Sequence, residues 1–347
     1  MTPYLLSLGF ALICLLLGII FQKLRLAAII AFLPMLFFIA TRGLVGVDSG
    51  NYIRIFEFIR TQGIWDAGVE PGFALLVDRL GSWFFTDPFD VLVALGIIVA
   101  VLVFIGGLLL EGKQPLLFLG VVLPYFMFDM TMNGVRYGMA FGLAMIATAF
   151  LLQKKSLWFL VIGALAVSVQ ITSVIVLGGV WALLESRIRT FLATAVAGVA
   201  TSFLFSEHIS GRVSENVDLQ STSAASGLAP LIMTLIILAA LAANPEFRRT
   251  SRWQMALLLV LELGGFLMAR YFYAGLRFQI LILFMIYVYG AAKARADGIQ
   301  LVKSQATVLL IIVAAMAGSF LRLRNFADDW GVGLSPFAPY YFRWEIY

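Results

Sequence analysis

Cysteine and histidine are almost absent from this 347-residue chain, which contains only Cys14 and His208. A disulfide needs two cysteines, and protein zinc sites draw several ligands from cysteine and histidine. The composition therefore excludes a disulfide framework, a Cys/His metal site and a catalytic triad built on several histidines. We predict neither a metal site nor a cofactor.

Charged residues are also scarce. They make up 12% of the chain, compared with about 25% in soluble domains, whereas hydrophobic residues make up 62% and the mean hydropathy is +1.00. This composition predicts an all-α polytopic integral membrane protein, because a helix satisfies its own backbone groups in lipid. The net charge of +5 does not indicate a nucleic-acid partner, because the cations lie at the ends of apolar segments and not in one stripe.

Apolar segments long enough to cross a membrane recur along the chain. They cover residues 2–21, 26–40, 91–110, 115–130, 137–152, 191–205, 228–242, 253–268, 278–292 and 306–321. We interpret the first as a retained helix and not as a signal peptide, because it lacks a basic N-terminal region and a clear cleavage site. Residues 157–184 are too long for one crossing and short for two.

The distribution of lysine and arginine decides how this segment crosses. Lys154 and Lys155 precede it, and Arg187 and Arg189 follow it. If both clusters are cytoplasmic, the chain crosses outward and returns as a short broken hairpin that turns near Gln170. This interpretation predicts about twelve crossings with both termini outside the cell.

The topology describes a single membrane domain over residues 1–347, with three external segments. Residues 41–90 form a long outer loop that is predicted to carry two amphipathic helices, because apolar residues recur there at helical spacing. These residues are Tyr52, Ile55, Phe56 and Ile59, followed by Phe73, Leu76, Val77 and Leu80. Residues 206–227 are expected to be a flexible external loop, and residues 322–347 an external C-terminal tail.

Lysine and arginine are divided unequally between the two faces. All six lysines fall on the cytoplasmic side, whereas the outer segments contain only arginine. The outer arginines are residues 42, 54, 60, 79, 136, 212, 270, 277, 322, 324 and 343. Arginine binds phosphate through a planar, bidentate fork, whereas lysine acts as a point charge. The division fits a phosphate-rich lipid substrate, and it also fits the better tolerance of arginine for burial at the interface.

The outer loop opens with a polar stretch that contains three glycines, at positions 43, 46 and 50. Arg42, Asp48, Asn51 and Tyr52 are candidates for substrate binding or catalysis, together with Glu70 further along the loop. The carboxylate of Asp48 or Glu70 is a candidate general base. Each also precedes a predicted helix and is equally a candidate N-cap. The sequence leaves both interpretations open.

Asp129, Asn133 and Arg136 share one face if their helix persists. Residues 116–152 are too long for one crossing at about 1.5 Å per residue, so we predict a break near Asn133 and Gly134. We expect Arg136 to lie at the outer membrane boundary and to bind phosphate, held by Asp129 or Asn133. The alternative is an interfacial ion pair that closes a helix turn.

Later arginines form two further pairs. Arg270 and Arg277 flank a turn between two predicted crossings, and Arg322 and Arg324 follow the last crossing. Each pair is a candidate for diphosphate binding or for anchoring a helix end. Glu262 lies within a crossing, where an ionisable group is costly. It is either functional or a neutral, hydrogen-bonded acid at a helix contact.

Four polar motifs follow one another in the chain. They are Arg42…Gly46-x-Asp48-Ser49-x-Asn51-Tyr52, Glu70-Pro71-Gly72-Phe73, Asn133-Gly134-Val135-Arg136-Tyr137-x-Met139-Ala140 and Gln170-Ile171-Thr172. In this order they resemble the EpsG-like family of bacterial Wzy-type polysaccharide polymerases. Tyr137 departs from that family, which usually has glutamine there, and Gln170-x-Thr172 stands where the family usually has His-x-Ser. Either Gln170 keeps a hydrogen-bonding role with substrate, together with Thr172, or that position never held the base.

The resemblance implies a membrane-embedded, GT-C-like glycosyltransferase that joins oligosaccharide repeat units carried on undecaprenyl diphosphate. It places the reaction at the outer, periplasmic face of the bacterial inner membrane, with Asp48 or Glu70 accepting the proton. The arginines that would hold the diphosphate are Arg136, Arg277, Arg322 and Arg324. Expected partners are the lipid-linked oligosaccharide, membrane lipid and a chain-length regulator, and no metal is required because arginine takes the cation's role. A transporter or flippase for a lipid-linked or anionic substrate is the alternative, and Glu262 is the residue that favours it.

Overall fold

The structure is a computed structural model that describes residues 1–185, 227–271, 273–328 and 335–345. These residues are helical throughout, apart from turns and one isolated bridge between Arg42 and Phe342. The helices are α1 Thr2–Ile20, α2 Leu24–Ala40, α3 Ser49–Gln62, α4 Pro71–Trp83, α5 Pro88–Glu111, α6 Met127–Met132, α7 Val135–Leu152, α8 Ser156–Val169, α9 Ser173–Leu184, α10 Leu228–Ala242, α11 Pro245–Ala269, α12 Tyr273–Ala296 and α13 Gln305–Asp328. A π-helical segment, Phe118–Phe126, leads directly into α6, and short 3₁₀ turns cover Leu301–Lys303 and Arg343–Glu345.

The described helices confirm a multi-pass, all-α membrane protein. Six are long and apolar enough to cross a membrane, and five shorter apolar helices accompany them. The predicted crossing at 191–205, the loop 206–227 up to residue 226, and the flanking Arg187 and Arg189 lie outside the described residues. The total of about twelve crossings therefore stays a prediction.

Most predicted crossings match a helix closely, and the exceptions have polar ends. Helix α11 begins at Pro245 and is kinked at Ser251, whose φ of −131° and ψ of 19° are not helical, so the apolar part after the kink agrees with the predicted start at residue 253. The short helical segment before the kink is capped by the Asn244 side chain, which accepts from the backbone N–H groups of Glu246 and Phe247, both at 3.1 Å. Such a cap satisfies free N–H groups of the first turn. A cap and a charged first turn are invisible to a search for apolar residues.

Three predicted local features are present. The chain breaks at Asn133 and Gly134, between α6 and α7. It breaks again after Val169, since α9 starts at Ser173. Helices α3 and α4 occupy the outer loop and bury their apolar faces, which in α3 include Tyr52, Phe56 and Ile59 and in α4 Phe73 and Val77.

The chain divides into two compact units. The first contains Met1–Ser173 and Ile312–Tyr347, and the second contains Val174–Ile311. Whether they act as one membrane domain stays a prediction. All four polar motifs lie in the first unit, and Glu262, Arg270 and Arg277 lie in the second.

In the first unit, segments that the charge distribution assigns to the outer side meet at one end of the bundle. The C-terminal strap (residues 335–345) runs along the start of the outer loop: Gly43 N–H donates to Tyr341 O at 2.8 Å, and Arg343 N–H donates to Thr41 O at 3.0 Å. The Tyr4 hydroxyl, at the start of α1, donates to Phe337 O at 3.0 Å. The predicted tail is partly helical, because α13 continues to Asp328.

Candidate functional site at the break between α6 and α7

An arginine–carboxylate pair lies where the chain breaks before α7. Helix α7 begins at Val135 and α4 begins at Pro71, so Arg136 and Glu70 both lie at helix starts. Arg136 Nη1 donates to Glu70 Oε2 at 2.8 Å, and their side chains are 25% and 15% exposed. The Glu70 carboxylate makes no capping hydrogen bond to α4. It binds Arg136 instead, and the exposed fractions of the two side chains leave the pair partly accessible to solvent.

Glu70 holds Arg136, and the expectation that Asp129 or Asn133 does so is wrong. The partner was predicted from the i, i+4, i+7 spacing, which brings side chains to one face only within an unbroken helix. The break changes the direction of the chain, so side chains at i and i+7 no longer share a face.

Tyr52 lies between Arg136 and Asp48. It is buried on α3, and its hydroxyl accepts from the Arg136 backbone N–H at 3.4 Å. Burial raises the pKa of the Tyr52 hydroxyl above its ordinary value; the positive charge of Arg136 opposes this shift and the negative charge of Asp48 adds to it. Tyr52 is therefore a neutral hydrogen-bonding group at physiological pH.

Asp48 is oriented by the residue at the break. Its backbone N–H donates to Asn133 Oδ1 at 2.9 Å, and its side chain accepts from Asn51 Nδ2 at 3.4 Å. Asp48 makes no side-chain capping bond to α3. Asn51 is exposed and also accepts from Arg54. The two candidate carboxylates are thus engaged with other side chains and do not cap their helices.

Gly46 allows the outer loop to pack against the end of α6. Its φ is +102°, and a Cβ atom there would lie 2.0 Å from Met132 O. Ser49 Oγ donates to Val45 O at 2.7 Å and lies 3.3 Å from the same Met132 oxygen. Any side chain at position 46 would both strain the backbone and push the loop away from the break.

A second close approach brings Glu70 near the end of α8. A Cβ atom at Gly72 would lie 2.3 Å from Ser168 Oγ. Gln170 and Thr172, both half-buried, follow directly after α8. The structure thus gathers all four motifs at one end of the first unit, although their positions in the chain are far apart.

Arg42 and Arg322 lie in the interior of the first unit. Arg42 has no exposed surface, and its Nη1 donates to Thr131 O at 3.1 Å. Burial lowers the pKa of Arg42 to about 10. Arg322 is 8% exposed, donates from Nε to Tyr125 O at 2.5 Å, and pairs through Nη2 with Asp129 Oδ2 at 3.4 Å. The contacts described for both guanidinium groups are with the protein.

The remaining predicted arginines lie elsewhere. Arg324 is exposed and pairs with Asp328 along α13 at 3.4 Å. Arg270 and Arg277 belong to the second unit, where the Arg270 guanidinium lies 4.8 Å from the centre of the Phe266 ring. Within the first unit, no described contact joins Arg324 to Arg136.

Glu262 has a hydrogen-bonded position inside the second unit. It is fully buried, and its Oε1 accepts from Gln279 Nε2 at 2.8 Å. The same amide nitrogen donates to Gly227 O at 3.0 Å. The Oε1 contact therefore matches the interpretation of Glu262 as a hydrogen-bonded group at a helix contact, while Oε2 is buried without a partner among the described residues.

Two residues of the site escaped the prediction. Tyr137 donates from its hydroxyl to Asp129 Oδ2. Ser335 donates to Gly46 O at 2.7 Å and accepts from Gly50 N–H at 3.4 Å. Tyr137 was noticeable as a departure from the family motif, but Ser335 lies at the other end of the chain and no local pattern identifies it.

Comparisons with known proteins agree with the motifs. A sequence model described as the EpsG family matches residues 25–342, which is nearly the whole chain. No curated protein and no solved structure matches the chain. Within the described residues, no group of three or more histidine, cysteine, aspartate or glutamate side chains is arranged to hold a metal ion.

Proposed function

This chain belongs to the EpsG family of Wzy-like polysaccharide polymerases, and we propose that it lengthens polysaccharide from repeat units carried on undecaprenyl diphosphate. The proposed enzyme is a GT-C-like glycosyltransferase of the bacterial inner membrane that works at its periplasmic face. Its partners are the lipid-linked oligosaccharide, membrane lipid and a chain-length regulator.

The observation that carries this proposal is the Arg136 cluster, which consists of Arg136, Glu70, Tyr52, Asp48 and Asn133. In this cluster the Arg136 guanidinium, which is bound by Glu70, and the Asp48 carboxylate lie around the buried Tyr52 at the end of a helical bundle. Glycosyl transfer from a lipid diphosphate needs a cation for the leaving group and an acceptor for one proton. The cluster contains both.

In the proposed reaction, a hydroxyl oxygen of the acceptor sugar attacks the anomeric carbon of the donor. A new carbon–oxygen bond forms as the bond between that carbon and the diphosphate oxygen breaks. The electron pair leaves with undecaprenyl diphosphate, and Arg136 neutralises the growing negative charge. The acceptor's proton passes to Asp48, because the Glu70 carboxylate is already bound by Arg136.

The partition of cations supports the periplasmic assignment. The ends that meet around the Arg136 cluster are those without lysine, and lysine-bearing ends mark the cytoplasmic side under the positive-inside rule. We do not propose a transport function, because the four polar motifs gather in the first unit, whereas Glu262, which favoured that alternative, lies in the second.

The decisive experiment is polymerisation with purified protein. The protein in nanodiscs is incubated with repeat units linked to undecaprenyl diphosphate and taken from the source strain. The expected result is a ladder of longer glycans on gels, and no ladder from Arg136→Ala protein of equal amount. Absence of a ladder with wild-type protein, together with normal polysaccharide in a deletion strain, would exclude a polymerase.

A further inference from the structure

Asp129 is a buried carboxylate that the proposed reaction does not use. It is 7% exposed and lies in α6, just before the break. Its Oδ2 accepts from the Tyr137 hydroxyl and from Arg322 Nη2, and its Oδ1 accepts from Asn133 Nδ2 at 3.3 Å. A buried carboxylate is tolerated when a counter-charge and several donors surround it, and Arg322 supplies that charge.

The division of donors between the two oxygens matters. Because Arg322 and Tyr137 occupy Oδ2, Oδ1 is left for Asn133. An ionised carboxylate only accepts hydrogen bonds, so it selects the NH₂ end of the Asn133 amide. The amide oxygen must then point the other way.

The other end of that amide meets Asp48. Asn133 Oδ1 accepts from the Asp48 backbone N–H at 2.9 Å. If the amide were turned over, its oxygen would face the Asp129 carboxylate and its NH₂ group would face the Asp48 N–H. Both contacts would be repulsive. The negative charge on Asp129 therefore determines that Asn133 presents its Oδ1 as the acceptor for the Asp48 backbone N–H.

Ser335 holds the same loop from a second side. Its hydroxyl donates to Gly46 O at 2.7 Å and accepts from Gly50 N–H at 3.4 Å, so its two contacts lie on either side of Asp48 in the chain. The backbone around Asp48 is therefore fixed at three places by residues from distant parts of the sequence.

We propose that Asp129 is a positioning residue that orients Asp48 through Asn133, with Arg322 as its counter-ion. Asp129 does not touch substrate, and Arg322 holds Asp129 and not the diphosphate. The catalytic half of this inference rests on the proposed function, in which Asp48 accepts the proton. The structural half does not depend on it.

The first test needs no activity. Hydrogen–deuterium exchange of residues 44–52 is compared between wild-type protein and Asp129→Asn in nanodiscs. The variant is expected to exchange about tenfold faster in this loop, the size of effect produced by losing a hydrogen bond to a charged group. Exchange of α5 should not change. The matched control is Asp297→Asn, which removes the exposed partner of Lys293 in the second unit.

The second test measures turnover and the donor KM of the same proteins. Asp129→Asn should lower turnover and leave the donor KM unchanged, since Arg136 and Glu70 are untouched. If Asp129→Asn does not fold, Tyr137→Phe removes one donor to Asp129 and should show the same changes at smaller size.

The outcomes separate the two ideas. Unchanged exchange of residues 44–52 would overturn the inference whatever the activity. Faster exchange with an altered donor KM and normal turnover would overturn the link to Asp48. If Asp129→Asn exchanges faster but the wild-type protein makes no polymer, the positioning of the loop is supported and the proposed function is excluded.

Discussion

Two features suit the guanidinium of Arg136 to a phosphate ligand. It lies in the first turn of α7, where the helix N-terminus adds partial positive charge. Glu70 fixes Nη1, and Nε is buried without a partner among the described residues, while the side chain as a whole is 25% exposed. The group is thus oriented by one carboxylate and is partly accessible to another anion through its exposed fraction.

Arg136→Lys is expected to lower the polymerisation rate by about 100-fold or more, because an ammonium group cannot bond Glu70 and a diphosphate oxygen with one planar fork. The rate is measured from the ladder at equal protein content. Arg79→Lys, at an exposed arginine of α4, is the control and should retain its rate. A normal rate in Arg136→Lys would show that Arg136 only anchors α7.

Asp48→Asn and Glu70→Gln are expected to affect different kinetic constants. Removing the proton acceptor should lower turnover by about 10²–10⁴-fold with little change in donor KM. Glu70→Gln removes the charge that holds Arg136 and should raise the donor KM. Initial rates over a range of donor concentrations distinguish them, and the reverse pattern would assign the proton to Glu70.

At the scale of elements, the site depends on close contacts between segments that are far apart in the chain. The outer loop packs on α6 through Gly46, α4 packs on α8 through Gly72, and the C-terminal strap lies along the loop. The first two contacts require a glycine and are sensitive to one methyl group, whereas the strap is held by backbone hydrogen bonds.

Gly46→Ala tests the packing of the outer loop. The new Cβ would lie 2.0 Å from Met132 O, so we expect the free energy of unfolding to fall by about 2 kcal/mol or more and polymerisation to be lost. Gly63→Ala is a close control, because Gly63 has a φ of +99° and open space around it. Its free energy of unfolding should fall only by about 1 kcal/mol, the cost of holding alanine at a positive φ. Equal losses in both variants would mean that contact with α6 is unimportant.

At the scale of the whole molecule, the segments of the first unit separate into one end that carries the Arg136 cluster and another that carries lysine. Lys23, Lys113 and Lys154 follow the C-terminal ends of α1, α5 and α7, respectively. The alternating direction of the chain puts these ends opposite the Arg136 cluster. Such a division orients a membrane protein during insertion.

Cysteine labelling checks this orientation. Cys14 is first replaced by serine, and a cysteine is then introduced by Asp66→Cys or Gln153→Cys, at exposed positions in the outer loop and after α7. A membrane-impermeant maleimide applied from the periplasmic side should label the first variant, and label the second only after the membrane is permeabilised. The opposite pattern would place the Arg136 cluster in the cytoplasm.

The amino-acid sequence by itself determined the class of protein, most of its helices and the membership of a family. Apolar runs, the break at Asn133 and the buried faces of α3 and α4 are local properties, so spacing along the chain predicts them. The same is true of the polar motifs, whose residue types and order resemble the EpsG family before any contact is known.

The tertiary structure alone decided which polar groups meet. Arg136 pairs with Glu70 and not Asp129, and Asp129 pairs with Arg322 from the last helix. The partners are far apart in the chain, and each arginine has the same charge and shape wherever it stands. Only the packing of the helices decides that Arg136 stays partly exposed beside a carboxylate while Arg322 is buried in contacts with the protein.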